Sequence, residues 1–185
     1  MILTGTEISA AVTEGRITID PYIPEQTNPN SHGYRLGDTL KVFTQGPVDP
    51  RTTAPTKTIR IPRRGYRLKP GKVYLGSTVE RIGSDHVVTS LIGRSSLGRL
   101  GLFLQVSADL AQLGAVHHWT LEIVATQPVR VYAGMVIGQV SFWEPVGETT
   151  PYRGYYGTLS EPSPYAPHAV AGRQATAVAP EVNAA

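Results

Sequence analysis

Cysteine is absent from the 185-residue chain, which excludes disulfides and every thiolate metal site. Long apolar runs are missing too, and no stretch approaches the roughly 20 residues that a membrane-spanning helix needs. The opening "MILTGTEISAAVTEGR" has neither the basic start nor the unbroken apolar centre of a signal peptide. A cytoplasmic protein with no membrane partner is the expectation. Charge of one sign is also scarce, since 17 basic and 14 acidic residues leave a formal net charge of +3. The densest basic stretch, "RIPRRGYRLK" from Arg60 to Lys69, is interleaved by Tyr66 alone and broken by Pro62 and Gly65. Single-strand binding grooves set several aromatics among their cations. This stretch reads instead as a solvated hairpin, and no nucleic-acid partner is expected. Walker A, GxGxxG, GxSxG and HExxH patterns are all missing. His117 and His118 are adjacent, so on a strand they face opposite sides and make no one-sided metal pair. Zinc is therefore not expected.

What is present reads as one β-rich domain. Hydrophobic residues make up 41% of the chain, enough for a core without staples. Thr4 and Glu7 stand in capping-box spacing, Ile8, Ala11 and Val12 form an apolar stripe, and Gly15 follows. Together they predict a short N-terminal helix. Alternation in "RLGDTLKVF" predicts a strand pair around Gly37-Asp38, and residues 46–65 read as an exposed excursion. Pro70-Gly71 predicts a turn between strands. "HVVTSLIG", "LGLFLQVSA", "WTLEIVA" and "VRVYAGMVIGQVSFW" are β-branched, short and bounded by turns. Their spacing leaves no room for repeated βαβ units, so the fold is expected to be an antiparallel β-roll or barrel. Beyond Trp143, "EPVGETTPYRGYYGTLSEPSPYAPH" carries four tyrosines among prolines and glycines. It reads as an arm laid over a site or a neighbouring subunit. The expected organisation is one domain with its arm over 1–168 and a mobile tail over 169–185.

Chemistry concentrates in two places. In "GRSSLGRLG", Arg94 offers a planar fork of donors and Ser95 and Ser96 add hydroxyls. Ser95 and Arg99 are four apart, so one helical turn sets them on the same side. The combination suits a phosphorylated ligand, and it also suits an ordinary capped turn. Gly101 is expected to permit close approach of this turn to its strand. Glu122 lies in "HHWTLEIVA", where alternation sets Trp119, Leu121 and Ile123 on one face and Thr120, Glu122 and Val124 on the other. Facing solvent, Glu122 is unremarkable. Facing a pocket, burial raises its pKa and a nearby arginine lowers it. That balance is what a general base requires.

Six stretches carry a family resemblance over about residues 1–160: "MILTGTEISAAVTEGRITIDP", "NPNSHGYRLGD" (Asn28 to Asp38), "GRSSLGRLGL" (Gly93 to Leu102), "TLEI", "VYAGMVIGQVSFW" and, faintly, "PYRGYYG". The chain resembles the dCTP deaminase branch of the dUTPase-like superfamily. The resemblance implies a distorted β-barrel or β-roll with a short N-terminal helix. It implies a homotrimer with sites between subunits. It further implies hydrolytic deamination of a cytosine nucleotide, dCTP by default, by metal-independent activation of water, with Mg2+ carried on the phosphates. Glu122 would activate water, Ser95 position it, and Arg99 orient Glu122 and stabilise developing charge. Arg94, Ser96, Ala108, Gln112, His117, Tyr152 and Tyr156 would contact substrate.

Two regions depart from the family pattern. In "ADLAQLGAVHHW", Ala108 and Gly114 are kept, but Gln112 stands at an aspartate position, Leu113 at a proline, Ala115 at an aromatic and His117 at a glycine. In the arm Tyr156 is kept, while Tyr155 and Leu159 replace a lysine and a glutamine. A pocket unlike the ordinary dCTP pocket is expected, and Gln112 argues against efficient pyrophosphate release. A modified or shorter-phosphate cytosine nucleotide, a pyrimidine nucleotide pyrophosphatase activity, and binding without turnover stay open as alternatives.

Overall fold

A computed structural model describes residues 1–157 and 159–166; the tail expected over 169–185 lies outside the described residues. Helix α1 (Gly5–Thr13) buries Ile8 and Ala11, and the chain leaves it through Gly15 at φ +76°. The expected capping box does not form. Thr4 makes no side-chain cap, and Glu7 pairs instead with Arg16 at 2.7 Å. The turn after α1 brings Arg16 back, its N–H donating to the Ala11 carbonyl at 2.9 Å. A full cation then outcompetes a backbone amide for the carboxylate.

The strands are β1 (Thr18–Asp20), β2 (Thr27–Asn28), β3 (Ser31–Arg35), β4 (Thr39–Phe43), β5 (Thr56–Arg60), β6 (Tyr66–Leu68), β7 (Val73–Gly83), β8 (Val88–Gly93), β9 (Leu102–Leu104), β10 (Val116–Ala125), β11 (Val129–Val131) and β12 (Val136–Trp143). A one-turn helix, α2 (Ser95–Gly98), joins β8 to β9. The largest sheet runs β5-β4-β7-β10-β9, with β1 also on β7. A second runs β2-β3-β12-β8, and β11-β6 forms a ribbon. Every pairing is antiparallel. This is the mostly-β architecture expected. Leu40, Tyr74, Leu121 and Ile123 from the larger sheet and Tyr34 and Phe142 from the second belong to one buried core. No helix among the described residues is long and apolar enough to cross a membrane.

Two strand expectations are corrected. The strands flanking Gly37-Asp38 exist, but they do not pair with each other: β3 joins β12, and β4 joins β5 and β7. The link is bound to β7, with Gly37 N–H donating to the Ser77 carbonyl at 2.8 Å. Arg35 is also held by the fully buried Glu80, through Nε at 2.6 Å and its backbone N–H at 2.8 Å. The excursion over 46–65 contains β5, paired with β4 from Thr39↔Arg60 to Phe43↔Thr56. None of the β5 residues is buried, so its sequence has no polarity alternation to reveal it.

Candidate functional site

Strand β10 supplies the wall of a cavity of about 760 Å³. Its pairing with β7 slips between His118 and Thr120, where β7 carries residues 78–80 opposite the single Trp119. The Trp119 N–H, left without a ladder carbonyl, donates to Thr78 Oγ1 at 2.9 Å, and that hydroxyl donates to the Glu80 carbonyl at 2.7 Å. Such an irregularity bends a strand and re-aims its side chains. As a result His117, Trp119, Thr120 and Glu122 all line one cavity. Strict alternation had placed Trp119 and Glu122 on opposite faces.

Glu122 sits opposite Leu75 of β7 and is half-buried. Among the described residues no hydrogen bond or ion pair reaches its carboxylate. Burial against apolar neighbours therefore raises its pKa without opposition. Among the described residues, the arginine expected to counter this rise is not beside it. His117 is buried, with its ring 4.1 Å from that of Trp119. Its Nδ1 lies 2.9 Å from the His118 carbonyl, which only accepts, so Nδ1 carries the proton. Burial, the largest influence, lowers the pKa of this imidazole and so favours its neutral form.

The loop before β10 and the arm after β12 complete the cavity. Ala108 and Gln112 lie exposed on its lining, while Ala115 is buried in it. Gly114 has φ +86°, and a Cβ there would lie 2.7 Å from Pro151 Cβ, so only glycine lets the arm root approach. The Tyr152 N–H then donates to the Leu113 carbonyl at 2.7 Å. Further on, Ser163 N–H donates to Thr120 Oγ1 at 3.1 Å and Ala166 N–H to Tyr156 Oη at 3.0 Å. The Tyr165 hydroxyl reaches the carbonyls of Asp49 and Thr52 in the β4–β5 connection. Tyr152, Tyr156 and Tyr165 thus line the cavity of their own chain.

Six of the ten expected site residues meet here: Ala108, Gln112, His117, Glu122, Tyr152 and Tyr156. The other four do not line the cavity. Arg94 and Arg99 flank α2 as its caps, Ser95 and Ser96 form its first turn, and all four are exposed. The expected helical turn is present, with Arg99 N–H donating to the Ser95 carbonyl at 3.0 Å. Gly101 lies close against Thr126, whose N–H donates to its carbonyl at 2.8 Å, so the close approach it permits is to the turn after β10 and not to its own strand β9. Neither arginine has a salt bridge among the described residues. Ile92, Leu100 and Phe103, close to α2 along the chain, and Val106 and Leu110, in the loop after β9, are exposed apolar side chains, and Leu110 also lines the cavity. Gln105, Trp119 and Tyr165 are cavity residues for which the sequence assigned no site role. Tyrosine enrichment in the arm was the one available signal. No group of three or more His, Asp or Glu residues among the described ones forms a metal cage.

A family model described as dCTP deaminase-like matches residues 2–145. A "dCTP deaminase, dUMP-forming" of Leptospira biflexa is 41% identical over 153 residues, covering 83% of this chain and 87% of its own. A protein of the same description from Clostridium beijerinckii is 42% identical over 148 residues, covering 80% and 85%. A "dCTP deaminase" of Rhodopirellula baltica is 39% identical over 149 residues, covering 80% and 75%. Among solved structures, the 2'-deoxycytidine 5'-triphosphate deaminase of Agrobacterium tumefaciens superposes with a TM-score of 0.61 at 22% identity. That match covers 76% of this chain and spans 47% of the Agrobacterium chain, and it carries the fold alone.

Proposed function

The chain belongs to the dCTP deaminase-like family, whose relatives here are hydrolytic deaminases, and we propose that it converts dCTP to dUMP, ammonia and pyrophosphate. The observation that carries this reading is Glu122, a half-buried carboxylate with a pKa raised by burial and no partner among the described residues, on the wall of a nucleotide-sized cavity. Such a group takes a proton from water as the water oxygen bonds to cytosine C4. It hands that proton to N3 as the C4–N3 double bond opens, then moves the hydroxyl proton of the adduct to the exocyclic nitrogen, so that the exocyclic C–N bond breaks, ammonia leaves, and C4 keeps a carbonyl beside a protonated N3. A second water attacks the α-phosphorus, the bond from that phosphorus to the α–β bridging oxygen breaks, and dUMP and pyrophosphate separate. His117 stiffens the pocket wall, with Nδ1 committed to the His118 carbonyl and Nε2 buried. Gln112 and Ala108 line the sugar and base region, and Tyr152 and Tyr156 close over it.

The charge opposing Glu122 comes from a second copy. Among the described residues the exposed side chains of Ser95, at the start of α2, and Arg99, its C-cap, have no partner, and Ile92, Leu100 and Phe103 nearby in the chain are exposed apolar side chains of the kind that subunit interfaces cover. In the assembly we propose, a homotrimer as in the family, α2 of one subunit faces the cavity of the next. Arg99 then stabilises the charge that develops at C4, Ser95 positions the water, and Arg94 and Ser96 hold phosphate oxygens. Mg2+ enters, on this reading, as the counter-ion of the triphosphate, part of the substrate.

Purified protein supplied with dCTP and Mg2+, with base and phosphate chain followed by mass spectrometry, tests the proposal. Ammonia, dUMP and pyrophosphate in equal amounts are expected. Gln112 favours a second reading, because an amide replaces the carboxylate of the family at the loop tied to pyrophosphate release. On that reading dUTP accumulates. Absence of ammonia from every cytosine nucleotide overturns both.

A further inference from the structure

We infer that Gln105 is a positioning residue that clamps Glu122, an inference that rests on the base role proposed above. The β9–β10 ladder pairs Ala125↔Leu102, Val124↔Phe103 and Ile123↔Leu104, so the next pair in register is Glu122 with Gln105. Half of that pair is ordinary, with Gln105 N–H donating to the Glu122 carbonyl at 3.3 Å. The other half is not. The Glu122 N–H donates to the side-chain Oε1 of Gln105 at 2.7 Å, in place of its main-chain carbonyl. The carbonyl is turned away because Gln105 has φ +49°, the one positive value at a non-glycine residue among those described. A straight-chain residue pays for that conformation, and such outliers persist where surrounding structure fixes them.

The substitution has two consequences. One residue now holds both backbone polar groups of Glu122, so the carboxylate's root is fixed although its oxygens have no partner. The chain is also freed to leave β10. After Gln105 it crosses to β8, where the Leu91 N–H donates to the Asp109 carbonyl and the Ala111 N–H to the Thr89 carbonyl, each at 2.8 Å. Gln105 Nε2 donates to the Ala108 carbonyl at 3.2 Å, so the same amide sets the loop that carries Ala108. The amide's orientation is forced, since its oxygen meets an N–H and its nitrogen meets a carbonyl. Gln105 is buried, and it lines the cavity beside Glu122. The other titratable groups lining the cavity are His117, Tyr152, Tyr156 and Tyr165.

Two variants of the full chain test this. Gln105→Met keeps the length and removes both hydrogen bonds. Gln105→Glu keeps the acceptor for the Glu122 N–H, loses the donor to Ala108 and adds a negative charge. In Gln105→Met, kcat on dCTP is expected to fall about tenfold or more while KM changes far less, because misplacing a catalytic group acts on the chemical step. Gln105→Glu is expected to recover much of that kcat at its pH optimum. Its acid limb should move to higher pH, since a like charge raises the pKa of Glu122. Amide hydrogen exchange at Glu122 supplies a readout independent of turnover, with exchange expected to be faster in Gln105→Met and wild-type-like in Gln105→Glu. Wild-type kcat in folded Gln105→Met, or unchanged exchange at Glu122, overturns the clamp. If the wild-type protein releases no ammonia, the functional reading fails, and the exchange measurement still decides for or against the clamp.

Discussion

The two halves of the proposed site differ in almost every physical respect. The α2 half is built within six residues, Arg94 to Arg99, by bonds along one turn, and its side chains project into solvent. The β10 half gathers residues from β4, β7, β10, the loop over 106–115 and the arm, and its central group is half-buried. One half carries two cations and no acid. The other carries an acid and no cation. Each is chemically incomplete in the single chain, and each offers what the other lacks. On the proposed reading, the two halves come together when a neighbouring copy completes the site.

The largest expected effect breaks either half separately. Glu122→Gln removes the base and should lower kcat by about 10²–10⁴-fold with the fold intact. Arg99→Ala should also be severe, because a preorganised cation is lost. Near-normal turnover in folded Glu122→Gln would reject Glu122 as the base. The sharper test mixes the two dead variants. In a closed three-fold ring, every mixed trimer has one interface where an intact Glu122 meets an intact Arg99. Random mixing should therefore restore roughly a quarter of wild-type activity. Light scattering should give about three times the 19.9 kDa chain mass. Mixed assemblies of verified composition that stay inactive would put both halves on one subunit.

The same contrast explains how much was legible in the sequence. The α2 turn could be read because its geometry is local: the Ser95 to Arg99 spacing alone predicts the observed bond. Helix α1, the Pro70-Gly71 turn and the antiparallel β character were equally local or periodic. The shared wall of Trp119 and Glu122 was not legible. It depends on residues 78–80 of β7, nearly 40 positions away, and alternation within β10 carries no trace of them. Gln105 was invisible for a related reason. Nothing in "LFLQVSA" announces a left-handed backbone at a glutamine, and its partner lies 17 residues on. Strand β5 escaped because neither face is buried. Glu7 misled because the competing cation, Arg16, arrives only after the helix has ended.

An intermediate effect probes the arm, the most distant contributor to the β10 half. Gly114→Val places a branched side chain at φ +86° and against Pro151. The backbone term alone costs on the order of 1–3 kcal/mol. The arm root should be pushed off Leu113, displacing Tyr152 and Tyr156 from the cavity. KM for dCTP is expected to rise about tenfold, with kcat less affected, since on the proposed reading the arm binds nucleotide while Glu122 stays in place. Unchanged KM with a lowered melting temperature would make Gly114 structural only and detach the arm from binding.

The smallest expected effect on turnover comes from a residue in neither half, and it separates the acid response of the fold from that of the pocket. His32 on β3 is fully buried, with Nδ1 3.0 Å from Thr27 Oγ1, its ring stacked on Tyr22, and Nε2 without a partner. Burial, helped by the nearby Arg35 charge, lowers its pKa from the ordinary 6.5 to about 4. Between those values the unfolded chain binds a proton that the folded chain refuses, so stability falls as pH falls through that window. The loss approaches about 3 kcal/mol at its lower end. Burial of His117 acts in the same direction. Glu122 acts oppositely, because its raised pKa lets the folded state take up a proton first as pH drops. His32→Gln keeps a polar group at Thr27 but does not titrate. Its urea midpoint should depend more weakly on pH between 6.5 and 4 than that of the wild type. Its turnover at pH 7, where His32 is already neutral, should stay within about twofold, and its acid limb should be unmoved because Glu122 sets it. An acid limb that shifts with His32→Gln would show the pocket and the fold titrating together, and the separation of the two regions would fail.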